Sequence, residues 1–151
     1  MTEVYRLIRA ARRGDVLSGE GARLYGGRWN RPGAAVVYAS ESRALAVLET
    51  FVHLTLEARS MKFVLCTLAL PAEAPAKVHG TARPPRSLDV SQRIGASWLA
   101  EGADLAFVVP SALVPQEKNY VLHVRHPRFA EVRVAKTEPF SFDERLWQSQ
   151  R

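Results

Sequence analysis

Cysteine is nearly absent from the chain: Cys66 is the single one among 151 residues. No internal disulfide can form, and no cysteine–histidine spacing suits zinc. Set in an apolar run, Cys66 reads as a buried core thiol. No apolar stretch approaches the roughly 20 residues needed to span a bilayer. The opening Met1-Thr2-Glu3-Val4-Tyr5-Arg6 lacks the basic-then-apolar order of a secretory leader. A cytoplasmic protein away from membranes, without structural metal or prosthetic group, is the expectation. Lysine is scarce, with four against 17 arginines, and Arg12-Arg13 is the one adjacent basic pair. No Lys/Arg run marks a nucleic-acid arm, so no direct nucleic-acid contact is expected.

Several motifs are missing as well. Gly21 to Gly26 has the spacing that opens a phosphate-binding Walker loop, but Gly27-Arg28 stands where Lys-Ser/Thr is required. Gly19-x-Gly21 is not completed as a dinucleotide fingerprint. Ser111 lacks the Gly-x-Ser-x-Gly setting of a hydrolase nucleophile. The four histidines share no metal spacing. Kinase, classical dehydrogenase and serine-esterase readings fall away. With no repeat, low-complexity tract or linker, residues 1–151 read as a single domain.

What is present is a globular composition, 47% hydrophobic and 24% charged, with a net charge of +6 and a pI near 10.0. That charge favours an anionic partner without choosing between a nucleotide and a nucleic acid. Six of the nine glycines fall between Gly14 and Gly33, interleaved with Arg23, Tyr25, Arg28 and Trp29. Glycine costs about 1 kcal/mol per helical position relative to alanine, so this stretch is expected to be irregular. Glycine lets backbone N–H groups approach a ligand, arginine grips phosphate or carboxylate bidentately, and aromatic rings offer flat faces. The segment reads either as a binding loop for a flat anion or as a long surface connection with solvated arginines.

Val4 to Ile8 alternates as a strand, with Tyr5 and Leu7 on one face and Arg6 on the other. Ala35 to Ala39 is a second strand. Ser40 or Glu41 starts a helix expected to run to about Ala58. Met61 to Leu70 reads as a central strand, and Pro71 to Pro85 as an irregular excursion. Asp89 or Ser91 caps a helix that Gly102 ends after Glu101, its apolar side formed by Ile94, Trp98 and Leu99. Strands follow over Leu105–Val109, Asn119–Val124 and Val132–Phe140, with a turn at His126-Pro127-Arg128-Phe129. Strand-rich with two main helices, the pattern is α+β.

At 100° per residue, Leu45, Leu48, Val52 and Leu56 share one stripe of the first main helix, and Glu49 falls inside it. A carboxylate among leucines needs a partner. It is either an internal salt bridge to an arginine or a carboxylate at the floor of a cleft. His53, at the stripe's edge, reads as packing.

The glycine loop, a tyrosine on the next strand and a carboxylate in the helix occur in an order that resembles the RES-domain toxins, named for an arginine, a glutamate and a serine. The resemblance covers nearly the whole chain. It runs from Ser18-Gly19-Glu20-Gly21-Ala22-Arg23-Leu24-Tyr25-Gly26-Gly27-Arg28-Trp29-Asn30 through Tyr38, Ala44-Leu45-Ala46-Val47-Leu48-Glu49 and Val109-Pro110-Ser111 to Asn119-Tyr120, His126-Pro127 and Pro139-Phe140-Ser141-Phe142-Asp143-Glu144-Arg145-Leu146. It makes Arg28, Glu49 and Ser111 the three signature residues, with Tyr38 a further active-site residue. It implies an α+β fold similar to ADP-ribosyltransferases, with mixed or antiparallel central strands and a few helices. It also implies NAD⁺ as substrate, and a toxin paired with an Xre-type helix-turn-helix antitoxin that blocks the active site. Gly95-Ala96 and His123-Val124-Arg125 depart from the family pattern without touching the four residues.

Cleaving the nicotinamide–ribose bond passes through an oxocarbenium-like sugar cation, and nicotinamide departs neutral without a general acid. Glu49 is assigned to steady that cation and Arg28 to hold the pyrophosphate. Tyr38 is assigned to the nicotinamide pocket, and Ser111 and Asn119 to the ribose or carboxamide. Arg6 and Tyr25 are candidate cleft residues that could equally be structural. Arg28 pairing with Glu49, and Ser111 as a mere turn hydroxyl, are the plainer alternatives. Arg28 is expected to face the carboxylate rather than solvent. Three function classes stay open: an NAD⁺-hydrolysing, phosphorolysing or ADP-ribosyl-transferring enzyme, a basic nucleic-acid-binding module, and a partner-docking protein.

Overall fold

A computed structural model describes residues 2–148. Seven strands form one mixed sheet: β1 (Glu3–Arg9), β2 (Val36–Ser40), β3 (Phe63–Ala69), β4 (Ala76–Val78), β5 (Ala106–Pro110), β6 (Lys118–His123) and β7 (Arg133–Phe140). Their spatial order is β4-β5-β6-β2-β1-β3-β7, and every neighbouring pair is antiparallel except β4 with β5. Four helices accompany it: α1 (Glu20–Tyr25), α2 (Arg43–Phe51), α3 (Leu88–Glu101) and α4 (Glu144–Gln148). The fold is α+β, as the strand-rich pattern predicts.

The sheet joins two halves at one narrow point. β1 is paired along its whole length with β3, whereas β1 and β2 share only Tyr5 opposite Ser40. On one face a continuous core crosses the join, built from Val4, Val37, Ala39, Cys66, Leu68 and Leu122. On the other face there are two clusters. Leu7, Ala46, Phe63, Leu65 and Trp147 pack on the β1–β3 half, and Trp29, Val36, Trp98, Phe107 and Val121 on the β2–β5–β6 half. Every residue of β3 is buried because it feeds a core on each face, which is why its sequence is a continuous apolar run.

Several expectations need correction. The glycine stretch contains a helical turn, α1, with Gly21 inside it. Glu20, Ala22, Arg23 and Leu24 are good helix formers, and one glycine's penalty of about 1 kcal/mol is too small to break so short a turn. The positive-φ positions that glycine is needed for lie at its ends, Gly19 (φ 69°) and Gly26 (φ 74°). The first main helix stops at Phe51 instead of Ala58, and a separate 3₁₀ turn covers Leu56–Ser60. Thr50, Val52 and Thr55 are poor helix residues, and Thr55 is extended.

The apolar stripe on α2 is corrected too. Leu45 is buried, but Leu48, Val52 and Leu56 are 41%, 51% and 42% exposed. The helix instead sets Ala46 and Thr50 against β1, where Thr50 Oγ1 donates back to the Ala46 carbonyl at 3.0 Å and lies 3.5 Å from the Leu7 carbonyl. The excursion between Pro71 and Pro85 holds the short strand β4. Helix α3 is capped by Ser87, whose hydroxyl accepts the Val90 N–H, rather than by Asp89 or Ser91. Gly102 ends it in the left-handed conformation, as expected.

Candidate active site

Where β1 and β2 part, a cleft of about 910 Å³ opens between the two halves of the sheet. It is lined by Arg6 of β1, Tyr38 of β2, Glu49 of α2, Asn119 of β6, and Tyr25 and Arg28 of the glycine segment. Six of the seven residues singled out in the sequence therefore share one cavity. The seventh, Ser111, is fully buried and is not among the lining residues. It sits behind the cleft wall, beneath Glu49.

Glu49 is half-buried and held by neutral donors. Ser111 Oγ donates to its Oε2 at 2.9 Å, and Asn119 Nδ2 donates to the same oxygen. Among the described residues no arginine pairs with it. Ser111 is also a turn residue, since its hydroxyl accepts the Leu113 and Val114 N–H groups at 3.1 and 3.0 Å. The turn and the carboxylate contact are one arrangement: the two N–H groups occupy the oxygen's lone pairs and aim its proton at Glu49.

The turn from β2 into α2 and the start of β6 are stitched together. Ser40 Oγ donates to Asn119 Oδ1 at 2.7 Å, and Lys118 N donates to Glu41 Oε1 at 2.7 Å. Ser42, the N-cap of α2 through the Leu45 N–H, also donates to Glu117 Oε1 at 3.2 Å. The helix carrying Glu49 and the strand carrying Asn119 therefore share one anchor.

Arg28 lies half-buried in the lining of the same cleft, its one side-chain hydrogen bond among the described residues a long 3.4 Å contact to the Pro85 carbonyl. Most of its donors are uncommitted among the described residues. Arg6 Nη1 donates to the Tyr38 carbonyl at 2.8 Å, bridging the gap where β1 and β2 no longer pair. Burial draws the Arg6 guanidinium below the usual arginine range, with Cys66 opposing, and its Nε is buried without a partner among the described residues. Tyr25 is 78% exposed at the cleft mouth.

Tyr38 is tied to the loop. Its hydroxyl donates to Asn30 Oδ1 at 2.7 Å and accepts the Trp29 N–H at 3.0 Å. Burial holds the phenol well above the usual tyrosine range, the Trp29 and Asn30 contacts and the nearby Arg28 charge opposing in part. Its ring backs onto Gly27, where any Cβ would come within 2.9 Å of it.

Three residues given no site role from the sequence build the loop. Asn30 is buried, and its Nδ2 donates to the Ala22, Arg31 and Ala34 carbonyls. Gln92 of α3 donates to the Gly27 and Asn30 carbonyls at 2.9 and 3.2 Å. A Cβ at Gly95 would lie 1.7 Å from the Trp29 carbonyl oxygen, so α3 touches the loop backbone there. The helical spacing of Gln92 and Gly95, i and i+3 on one face, is the signal that could have found them. The buried Trp29 anchors the other side against Phe107, ring centroids 5.6 Å apart.

No helix among the described residues is long and apolar enough to cross a membrane, and no three potential metal-ligating side chains gather there. A family model described as "RES domain" matches residues 3–143. The chain is 36% identical over 155 residues to a protein of Sphingobium sp. (strain YBL2) named "Prs ADP-ribosylating toxin", covering 96% of each. It is 33% identical over 154 residues to "Toxin Res" of Yersinia enterocolitica, covering 95% of this chain and 98% of that one. A second "Toxin Res", from Pseudomonas putida, is 32% identical over 138 residues, covering 87% and 92%.

Proposed function

The chain belongs to the RES-domain family, and from that premise we propose that it is a toxin that consumes NAD⁺ in the cleft between β1 and β2. The observation that carries this reading is the Glu49 carboxylate. One of its oxygens is held by two neutral donors on the wall of a cavity that also carries Arg6 and Arg28. A carboxylate with no salt bridge among the described residues suits the steadying of a sugar cation. Guanidiniums lining the same cavity suit a pyrophosphate.

In the proposed reaction the bond between nicotinamide nitrogen and ribose C1′ breaks, and its electron pair leaves with nicotinamide, which becomes neutral. Glu49 Oε1, the oxygen without a protein donor among the described residues, faces the developing ribosyl cation and its hydroxyls. A nucleophile then bonds to C1′: water gives up a proton to solvent, while phosphate attacks through an oxygen that is already anionic. Arg28 and Arg6 hold the pyrophosphate. Tyr38 contributes its ring to the pocket while its hydroxyl fixes the loop. Tyr25 stands at the mouth. Ser111 and Asn119 act mainly by presenting Glu49, a narrower role than direct contact with ribose.

The nucleophile is water or inorganic phosphate in the leading reading. The Sphingobium relative's printed name favours a second one, transfer of ADP-ribose to a protein. Both readings fit an inhibitory partner of the Xre type. Tyr25, Leu88, Leu113 and Val52, 78%, 53%, 38% and 51% exposed, form an apolar rim that a covering protein would bury. Incubating the purified chain with NAD⁺, with and without phosphate, and weighing the products separates the outcomes. ADP-ribose marks hydrolysis and ADP-ribose-1″-phosphate marks phosphorolysis. Loss of NAD⁺ only when a protein acceptor is added marks transfer, and no loss under any condition overturns the reading.

A further inference from the structure

We propose that Ser40 is a positioning residue for the reaction, acting through Asn119 on Glu49. The proposal rests on the reading of Glu49 as the carboxylate that serves NAD⁺ cleavage.

Ser40 is 3% exposed and ends β2 directly opposite Asn119 of β6. It is also the one residue of β2 that pairs with β1, through Tyr5, so it stands where the two halves of the sheet meet. Its hydroxyl donates to Asn119 Oδ1 at 2.7 Å, while Asn119 Nδ2 donates to Glu49 Oε2. A side-chain amide has one acceptor end and one donor end, and the two cannot be exchanged without consequence. With Oδ1 satisfied by Ser40, the NH₂ group must face the carboxylate. Turned the other way, two oxygen acceptors would oppose each other at Glu49.

The effect reaches the free carboxylate oxygen. Ser111 and Asn119 both donate to Oε2, leaving Oε1 for the cleft. Two donors converging from different elements, the turn after β5 and the strand β6, fix the plane of the carboxylate as well as its position. Removing Ser40's proton leaves Asn119 Oδ1 without its donor, so the amide is free to turn and the plane is held by Ser111 alone. Substrate binding through the arginines does not depend on that plane, but stabilisation of the ribosyl cation does. Ser40 is thus expected to govern turnover rather than affinity.

The test is Ser40→Ala, with Ser40→Thr as the variant that keeps the hydroxyl. NMR of the ¹⁵N-labelled chain reads the Asn119 side-chain amide, identified by its loss in Asn119→Ala. In the wild type the proton donated to Glu49 is expected to be shifted downfield and protected from exchange. In Ser40→Ala that shift and protection are lost, with the backbone spectrum otherwise that of the folded chain. An Asn119 amide unchanged in Ser40→Ala overturns the proposal whether or not the protein consumes NAD⁺. In the NAD⁺ assay kcat falls roughly tenfold with KM unchanged. Ser40→Thr recovers it, and Ser40→Ala adds nothing further in an Asn119→Ala background. An unchanged kcat, or additive losses in the double variant, also overturns it. Wild-type protein that leaves NAD⁺ intact removes the reading of Glu49, while the NMR arm still decides the Ser40–Asn119 linkage. If Ser40→Ala does not fold, Ser40→Cys keeps the volume with a weak donor and is read in the same two ways.

Discussion

Glu49 and Arg28 line the same cleft without pairing: the carboxylate takes its hydrogen bonds from Ser111 and Asn119, and among the described residues the guanidinium reaches only the Pro85 carbonyl. An ion pair would have quenched both charges. Kept apart, each is available to a ligand that carries opposite charge at its two contact points, a cationic sugar and an anionic pyrophosphate. Glu49→Gln tests the first half. The amide preserves shape and can accept from Ser111 and Asn119, so the thermal midpoint is expected to stay near that of the wild type. NAD⁺ consumption is expected to fall by about 100-fold or more, the scale set by removing one preorganised charge from a transition state. Activity within a fewfold of wild type would take Glu49 out of the chemistry.

Arg28→Ala tests the second half. A charge-assisted hydrogen bond contributes about 1.5–3 kcal/mol, which corresponds to an increase of roughly 10- to 100-fold in KM for NAD⁺. Arg28→Lys is expected to recover little of it, because an ammonium lacks the planar fork that meets a pyrophosphate bidentately. Steady-state kinetics with NAD⁺ decide the matter, and a KM unmoved in both variants would show that Arg28 does not touch substrate.

The glycine loop and Glu49 were legible from chemistry that is local in sequence, glycines gathered with arginines and a glutamate among leucines, whereas Tyr38, Ser111 and Asn119 were marked by the family resemblance. What holds them was not legible. Ser111 and Asn119 reach Glu49 across 62 and 70 positions of chain, and no periodicity encodes such a meeting. Glu49 does sit on the predicted stripe, but the fold does not bury that stripe: Leu48, Val52 and Leu56 stay largely exposed. Apolar residues that line a binding rim obey the same period as those that face a core, so the pattern alone cannot separate them. The short helix α1 was hidden because glycine's helical penalty is small against the turn geometry that Gly19 and Gly26 impose on either side.

Tyr38 gives a pH prediction. Its phenol is held above the usual tyrosine range in the folded chain, chiefly by burial. The unfolded chain ionises near the reference value of about 10. A group whose folded pKa is raised contributes stability that is complete below the unfolded value and declines as pH rises above it. Denaturant melts from pH 8 to 11 should therefore show wild-type stability falling above about pH 10 by more than in Tyr38→Phe. At pH 8 the variant is expected to be less stable by about 1–3 kcal/mol, because the Trp29 N–H and Asn30 Oδ1 lose their partner. Parallel curves for the two proteins above pH 10 would show that Tyr38 ionises freely in the folded state.

Gly95 supplies a test in which general and local expectations have opposite signs. In the interior of a helix, alanine in place of glycine ordinarily stabilises by roughly 0.5–1 kcal/mol. Gly95 lies well inside α3, so propensity alone predicts a gain. Its missing Cβ, however, is where the Trp29 carbonyl oxygen sits, 1.7 Å from the position the methyl would take. The obstacle is backbone and not the end of a flexible side chain, so helix and loop must separate for the methyl to fit. Gly95→Ala is expected to destabilise by about 1–3 kcal/mol, the range for overpacking a tight contact. The same movement draws Gln92 away from the Gly27 and Asn30 carbonyls. Because Arg28 rides on that loop between them, KM for NAD⁺ is expected to rise as well. Chemical denaturation and kinetics on one preparation check both effects, and a stabilised variant would mean that α3 and the loop do not meet as described.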